Sequence, residues 1–184
     1  TIRPSTGLAV MDVAFKGKRV AWEIALAEAA ALYSGANSDQ VFYLDSAYSM
    51  THFSGDLVEG LDCPETASIL YAPKWLYFQG GAPVSNSAKA FPFKAGCIFG
   101  VRGKALTVRA VATVGNYDYI TELVFKLDGS ITVALKFAGY METRYFEKVY
   151  DAVETQLSEI VHDNLAAPLH AHFACFKVDL DIMG

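Results

Sequence analysis

Three extended runs follow one another between Ala105 and Phe137, and they constrain the fold more than any other feature. Residues 105–113, 119–127 and 130–137 are rich in β-branched and aromatic side chains, which favour strands. Asp128-Gly129 separates the last two runs. That dipeptide favours a tight hairpin turn, because both residues tolerate positive φ. Shorter strand candidates are 9–15, 41–44, 67–71, 75–78 and 172–180. Clusters of Gly, Pro, Asn and Ser punctuate them, notably at 80–87. Many short strands of this kind predict an all-β chain folded as an antiparallel β-sandwich. No repeat or linker interrupts it, so 1–184 reads as one domain.

Two segments resist that pattern. Residues 20–33 are rich in Ala, Leu and Glu with Gly35 beyond, which reads as a helix on propensity. Residues 145–161 carry apolar side chains at helical spacing: Phe146, Val149, Val153, Leu157, Ile160 and Val161.

Composition narrows the function. Hydrophobic residues make up 53% and charged residues 19%, more apolar than an average soluble domain. The chain can therefore bury a core and cover further surface. With a net charge of −5 and no basic run, it lacks the footprint of a nucleic-acid binder. Charges interrupt every apolar stretch before membrane-spanning length. The opening Thr1-Ile2-Arg3-Pro4-Ser5 is not a signal peptide. Cys63, Cys97 and Cys175 are too few and too dispersed for a disulfide scaffold or a zinc knuckle, though one disulfide with one free thiol is allowed.

Two patterns carry chemistry. His170 and His172 stand one residue apart, which on a strand turns both to the same face with Cβ atoms roughly 6.5–7 Å apart. Two imidazoles so placed can share a copper, zinc, iron or nickel ion, although a polar sheet surface produces the same pattern. Asp45 ends the apolar aromatic run Val41-Phe42-Tyr43-Leu44. Desolvated there, its carboxyl would rise toward the range of a general base; as a loop-starting residue it would simply cap a turn.

The stretch Thr113-Val114-Gly115-Asn116-Tyr117-Asp118-Tyr119 resembles the Thr-x-x-Asn-Tyr-Asp/Glu-Tyr pattern of the copper-containing amine oxidases, the topaquinone enzymes. The animal diamine-oxidase and vascular-adhesion type is the nearest pattern. The resemblance makes Tyr117 the topaquinone precursor beside Asn116, and His170 and His172 the family's copper pair. It makes Asp45 the catalytic base through Tyr43-Leu44-Asp45-Ser46-Ala47-Tyr48, and Tyr33 the quinone's hydrogen-bond partner through Ala31-Leu32-Tyr33-Ser34-Gly35. Asp179, Leu180 and Asp181 look like its calcium segment. Residues 60–67 match as well, and the matches stand in family order over nearly the whole chain. The implied reaction is oxidative deamination of a primary amine by dioxygen, giving aldehyde, ammonia and hydrogen peroxide. A homodimer or larger assembly and an extracellular or secretory location are implied too. The family fold is a large β-sandwich, the catalytic supersandwich, so 20–33 is expected to be extended despite its helix propensity.

Departures from the family are equally specific. The third copper histidine of the family lies far downstream of the pair, and neither His52 nor His162 matches it. By this reading the chain lacks the C-terminal part of the family domain. The family's disulfide partner for Cys63 falls at Pro92, and Cys97 a few residues on could substitute or stay reduced. Residues 94–99 look shortened, and Ser49 and Thr51 replace family glycines. These departures also fit a shortened, non-catalytic structural or interaction module, or one piece of an enzyme completed by another polypeptide.

Overall fold

The computed structural model describes residues 1–35, 41–51, 54–74, 91–101, 105–146 and 157–181. Thirteen strands account for nearly all regular structure among them: β1 (Ile2–Arg3), β2 (Gly7–Phe15), β3 (Lys18–Tyr33), β4 (Val41–Leu44), β5 (Ser68–Lys74), β6 (Phe91–Val101), β7 (Ala105–Val114), β8 (Tyr117–Lys126), β9 (Ile131–Gly139), β10 (Arg144–Tyr145), β11 (Ser158–His162), β12 (Leu165–Pro168) and β13 (His170–Leu180). One sheet runs β1-β2-β3-β13, with β4 also on β3; a second runs β5-β6-β7-β8-β9; a third, small sheet runs β10-β12-β11. Their ladders are antiparallel.

The first two sheets face each other as a sandwich. Leu8, Ala21 and Ile24 of the first meet Val108, Ala110 and Leu123 of the second. Further along, Leu26 and Ala29 meet Ala112 and Tyr119, with Met50 closing the end. That second cluster is the floor on which the candidate site stands.

β3 is extended, as the family resemblance implies, and its helix propensity is overridden. Its backbone is paired on both edges, by β2 and β4 on one side and β13 on the other. A strand in that position satisfies its polar groups through its neighbours, and its alanines let both faces be covered closely. The 145–161 segment lies partly outside the described residues. Among its described residues, Tyr145 and Ser158 to Val161 are strand while Leu157 is helical, so the helical reading fails at Tyr145 and from Ser158 onward. The 75–78 candidate and the 80–87 turn cluster also lie outside the described residues.

Glycine decides one turn and one close approach of strands. The β8–β9 connection is not the two-residue turn expected from Asp128-Gly129. Only Gly129 has positive φ, Gly129 N–H donates to the Lys126 carbonyl at 3.1 Å, and Lys126 N–H donates to the Ser130 carbonyl at 3.0 Å. This is a three-residue loop with a left-handed closing glycine. Gly96 lies on β6, a strand that the sequence pattern does not announce. A Cβ at Gly96 would lie 2.6 Å from the Arg109 carbonyl oxygen, so the close approach of β6 to β7 requires glycine there.

Cys63 and Cys97 form a disulfide with Cα atoms 6.4 Å apart, within bonding range. Cys97 thus takes the role left open by Pro92, and Cys175 stays free and exposed.

Candidate active site

Four elements terminate together at one end of the sandwich. Tyr33 ends β3 and His170 opens β13, and the register pairs them directly, with His172 opposite Ala31. β4 pairs with the same end of β3 and leads into a 3-10 turn, Asp45–Tyr48, that carries Asp45. Tyr117 opens β8 from the facing sheet. The result is a cavity of about 760 Å³ lined by Tyr33, Tyr43, Asp45, Tyr48, Tyr117, Tyr119 and Glu142, among others.

The motif around Tyr117 is first a device for holding a turn. Gly115 takes φ +59° at the first central position of the β7–β8 hairpin, a conformation glycine adopts freely. The Asn116 side-chain amide donates to the Tyr140 carbonyl, and Tyr140 N–H donates back to the Asn116 carbonyl at 3.2 Å. The Thr113 hydroxyl donates to Asp118 Oδ1 at 2.7 Å across the hairpin. Gly139 crosses beside this turn so closely that a Cβ there would sit 2.1 Å from the Asn116 carbonyl oxygen. Thr113, Asn116 and Asp118 therefore fix where the Tyr117 ring points.

That ring points at the histidine pair. The Tyr117 hydroxyl is 3.2 Å from His170 Nε2. His170 Nδ1 lies 3.2 Å from the Pro168 carbonyl, so it carries the proton and leaves Nε2 to accept from Tyr117. The Tyr117 ring lies 4.7 Å from the His172 ring, and the two imidazoles are 5.2 Å apart. Tyr33 stacks on His170 at 5.1 Å and interacts with Tyr117 through their hydroxyls. Burial, reinforced by Tyr117, pushes the Tyr33 phenol well above its ordinary range, so it stays a neutral donor.

Asp45 is 3% exposed, and its Oδ2 finds no hydrogen-bond partner among the described residues. Burial pushes its carboxyl above the usual carboxylate range; the Tyr119 hydroxyl opposes that shift, and the nearby Glu28 charge adds to it. Of the two sequence readings, the structure has the buried, desolvated carboxylate. Asp45 also begins the 3-10 turn, so the turn-starting reading is true without being the whole account.

The donor set partly suits copper. His172 Nε2 is buried and unpartnered among the described residues, an arrangement that costs stability unless something is bound there. Burial, aided by His170, lowers the His172 pKa and favours the neutral, metal-binding form. Two imidazoles are a chemically suitable half of a copper site. Among the described residues, no group of three His, Cys, Asp or Glu could hold a metal. His162 stands apart on β11, and His52 lies outside the described residues.

Asp179, Leu180 and Asp181 are not brought into this site. They lie at and just past the other end of β13, about 23 to 30 Å along the chain from His172 by rise per residue. There Arg19 donates to Asp181 Oδ2, and Asp181 N–H donates to the Val20 carbonyl at 3.1 Å. In this arrangement Asp181 is engaged by a guanidinium, which a calcium ion would have to displace.

Sequence reasoning missed several contributors. Tyr119 sits two residues from Tyr117 on the same strand face, against Asp45, with its hydroxyl 3.5 Å from His172 Nδ1. The i, i+2 spacing was the available signal. Phe137, 5.1 Å from both Tyr119 and His172, comes from β9 and carried no signal. Glu28 is a charge in an alanine-rich run, visible but uninterpreted.

The model for the copper amine oxidase enzyme domain matches residues 1–184. The copper-containing diamine oxidase of Homo sapiens is 31% identical over 207 residues, covering 100% of this chain and 26% of that protein. The copper-containing amine oxidase 3 of Mus musculus is 34% identical over 194 residues, covering 97% and 25%. Among solved structures, the Aspergillus nidulans amine oxidase matches at TM-score 0.77 and 30% identity, covering 100% of this chain and 26% of that one. Pichia pastoris lysyl oxidase matches at TM-score 0.78 and 29% identity, covering 98% and 26%. The chain spans about a quarter of the length of these relatives.

Proposed function

Because this chain belongs to the copper amine oxidase enzyme-domain family, we propose that its pocket oxidatively deaminates a primary amine. In balance, amine, dioxygen and water become aldehyde, ammonia and hydrogen peroxide. The observation that carries this reading is that Tyr117, which lines one pocket with buried Asp45, also meets His170 at 3.2 Å. His170 and His172 would hold copper beside the Tyr117 ring, with further ligands from outside the described residues. When bound, copper with dioxygen would supply the oxidation of Tyr117 to topaquinone, whose carbonyl is of the kind that handles amines covalently.

The remaining roles belong to this chain's side chains. Asp45 Oδ2 takes the proton from the carbon next to the amine nitrogen, and burial makes that carboxylate a better base. Tyr33 orients the Tyr117 ring through its hydroxyl. Among the described residues, the lining carries the carboxylates of Asp45 and Glu142 and no Lys or Arg, which suits a cationic amine. Its aromatic walls favour an ammonium group. An extracellular or secretory location is supported by the Cys63–Cys97 disulfide. Assembly as a homodimer or larger oligomer, and calcium at Asp179–Asp181 with Arg19 withdrawn, complete this reading.

The test is the mass of the peptide containing Asn116-Tyr117-Asp118, with and without copper and oxygen, together with phenylhydrazine labelling. Copper and oxygen should produce a modified mass and labelling, both absent in Tyr117→Phe. An unmodified mass under every condition overturns the proposal. It would favour a second reading, a non-catalytic structural or interaction module, which the two-histidine donor set among the described residues also suits.

A further inference from the structure

Glu28 lies in the middle of β3, half-buried, where Ala25, Leu26, Ala29 and Ala30 are buried. Its carboxylate is fully occupied. Oε1 accepts from the backbone N–H groups of Ala29 and Ser46, each at 3.0 Å. Oε2 accepts from the Ser46 hydroxyl. Two of these three bonds go to the residue that directly follows Asp45. Ser46 is in the first turn of the 3-10 segment, where backbone N–H groups have no partner within the turn. Leu44, which precedes the turn, makes no side-chain capping bond to it. The partner comes instead from β3, the strand that also carries Tyr33.

We propose that Glu28 is a positioning residue for Asp45: by gripping Ser46 through both carboxylate oxygens, it fixes the turn that aims Asp45 into the pocket. Among the described residues the Asp45 Oδ2 is unpartnered, and the Tyr119 hydroxyl supports the carboxylate. Charge-assisted bonds to backbone N–H are among the stronger ones, which suits a group that must hold a turn against a cavity. Glu28 also faces Asp45 electrostatically. The titratable groups acting on Asp45 or acted on by it are Tyr119 from β8 and Glu28 and Tyr33 from β3. Both tyrosines stay neutral, so Glu28 is the charged one, and a like charge adds to the upward push of burial. One side chain thus holds its neighbour's position and adds to the upward push that burial gives its carboxyl.

The inference rests on Asp45 as the proton acceptor, but its test does not use turnover. Two NMR measurements on the 184-residue chain decide it: hydrogen exchange of the Ser46 amide, and the pH titration of the Asp45 carboxyl carbon. In Glu28→Ala, Ser46 should exchange at least about tenfold faster while the β3 amides other than Ala29, which also bonds to Glu28, remain protected. In Glu28→Gln, an acceptor remains for Ser46, so exchange should stay within about threefold of wild type. Asp45 should then titrate at lower pH than in wild type, because the like charge is gone. A glutamate with only a structural role would lower thermal stability in both variants and leave the Asp45 titration where it was. The proposal falls if Ser46 exchange in folded Glu28→Ala is unchanged, or if Asp45 in Glu28→Gln titrates at the same or higher pH. Should Glu28→Ala not fold, the Glu28→Gln titration decides alone. An unmodified Tyr117 would sink the amine oxidase reading and leave both measurements intact.

Discussion

At the scale of single residues, the proposed reaction gives Asp45 and Tyr117 separable jobs. In it, making the quinone would concern the Tyr117 ring and the histidines, and abstracting a proton would concern Asp45. Asp45→Asn should therefore leave Tyr117 processing intact and reduce amine turnover by about 10²- to 10⁴-fold, the usual worth of a general base. Peptide mass and aldehyde production, measured on one sample, check both halves. Burial raises the Asp45 carboxyl, and turnover needs it ionised. Activity should thus be lost as pH falls through that raised pKa, at a higher pH than an exposed aspartate would give. A kcat/KM profile whose acid limb sits at the ordinary carboxylate range, near 4, would contradict the buried-base account.

At the scale of elements, the site depends on backbones that approach closely. Gly139 has φ +123° and would bring a Cβ within 2.1 Å of the Asn116 carbonyl oxygen. Gly139→Ala should cost about 1–3 kcal/mol or more and displace the Tyr117 turn. Gly100→Ala on β6 is the control, since its nearest neighbour would be an ordinary 3.8 Å away. Urea midpoints of the two variants should differ clearly; equal midpoints would mean that the Gly139 approach is not a constraint. The Cys63–Cys97 bond ties the loop after residue 54 to β6 across a separation of 34 residues. Its removal should cost roughly 3–4 kcal/mol on chain-entropy grounds. Thiol titration of the denatured, unreduced chain should find one free thiol, Cys175; three would refute the pairing.

Across the whole molecule, two buried carboxylates join strands and set the acid limit of stability. Glu23 on β3 takes Arg3 from β1 at 2.6 Å and Lys177 from β13 at 2.7 Å. Glu122 on β8 takes Arg109 from β7 and Lys136 from β9, at 2.6 and 2.7 Å. Hydrogen bonds from Arg3 and Lys177 hold the Glu23 carboxyl below its ordinary value. Burial pushes Glu122 up, but the bonds from Lys136 and Arg109 outweigh it and hold it down. A depressed carboxyl binds fewer protons when folded, so its contribution is complete above the unfolded value, about 4.3, and disappears as pH falls through the folded value. Asp45 has the opposite sign: its raised pKa costs stability as pH climbs from the ordinary to the raised value. Glu23→Gln and Glu122→Gln should therefore lower the urea midpoint at pH 7 and shrink its loss on acidification to pH 3.5. A variant retaining the full acid loss would show that other carboxylates control it.

How much of this was legible in the chain depends on the range of the cause. Alternation in 105–113, 119–127 and 130–137 implied antiparallel strands, because period-2 patterning reflects which face is buried and needs no distant partner. Strand β6 stayed hidden, since Pro92, Gly96 and Gly100 read as breaks while β7 in fact demands a glycine at Gly96. The 20–33 run has intrinsic helix preference, and only pairing on both edges makes it β3. The Tyr117 motif and the His170–His172 pair were readable because each is local, and their spacing alone places side chains on one face. Asp45 stood out at the end of the apolar aromatic run 41–44, with a turn-cap reading left open beside the general base; the family resemblance chose between them and added Tyr33. Neither spacing nor resemblance picked out Glu28 and Phe137 as neighbours of the site. Those contacts depend on the packing of β3 against the Asp45 turn and of β9 against β8 and β13, long-range facts that no local pattern encodes. Side-chain chemistry was thus written along the chain; proximity, burial and the unpartnered atoms of Asp45 and His172 came into being only when two sheets closed over them.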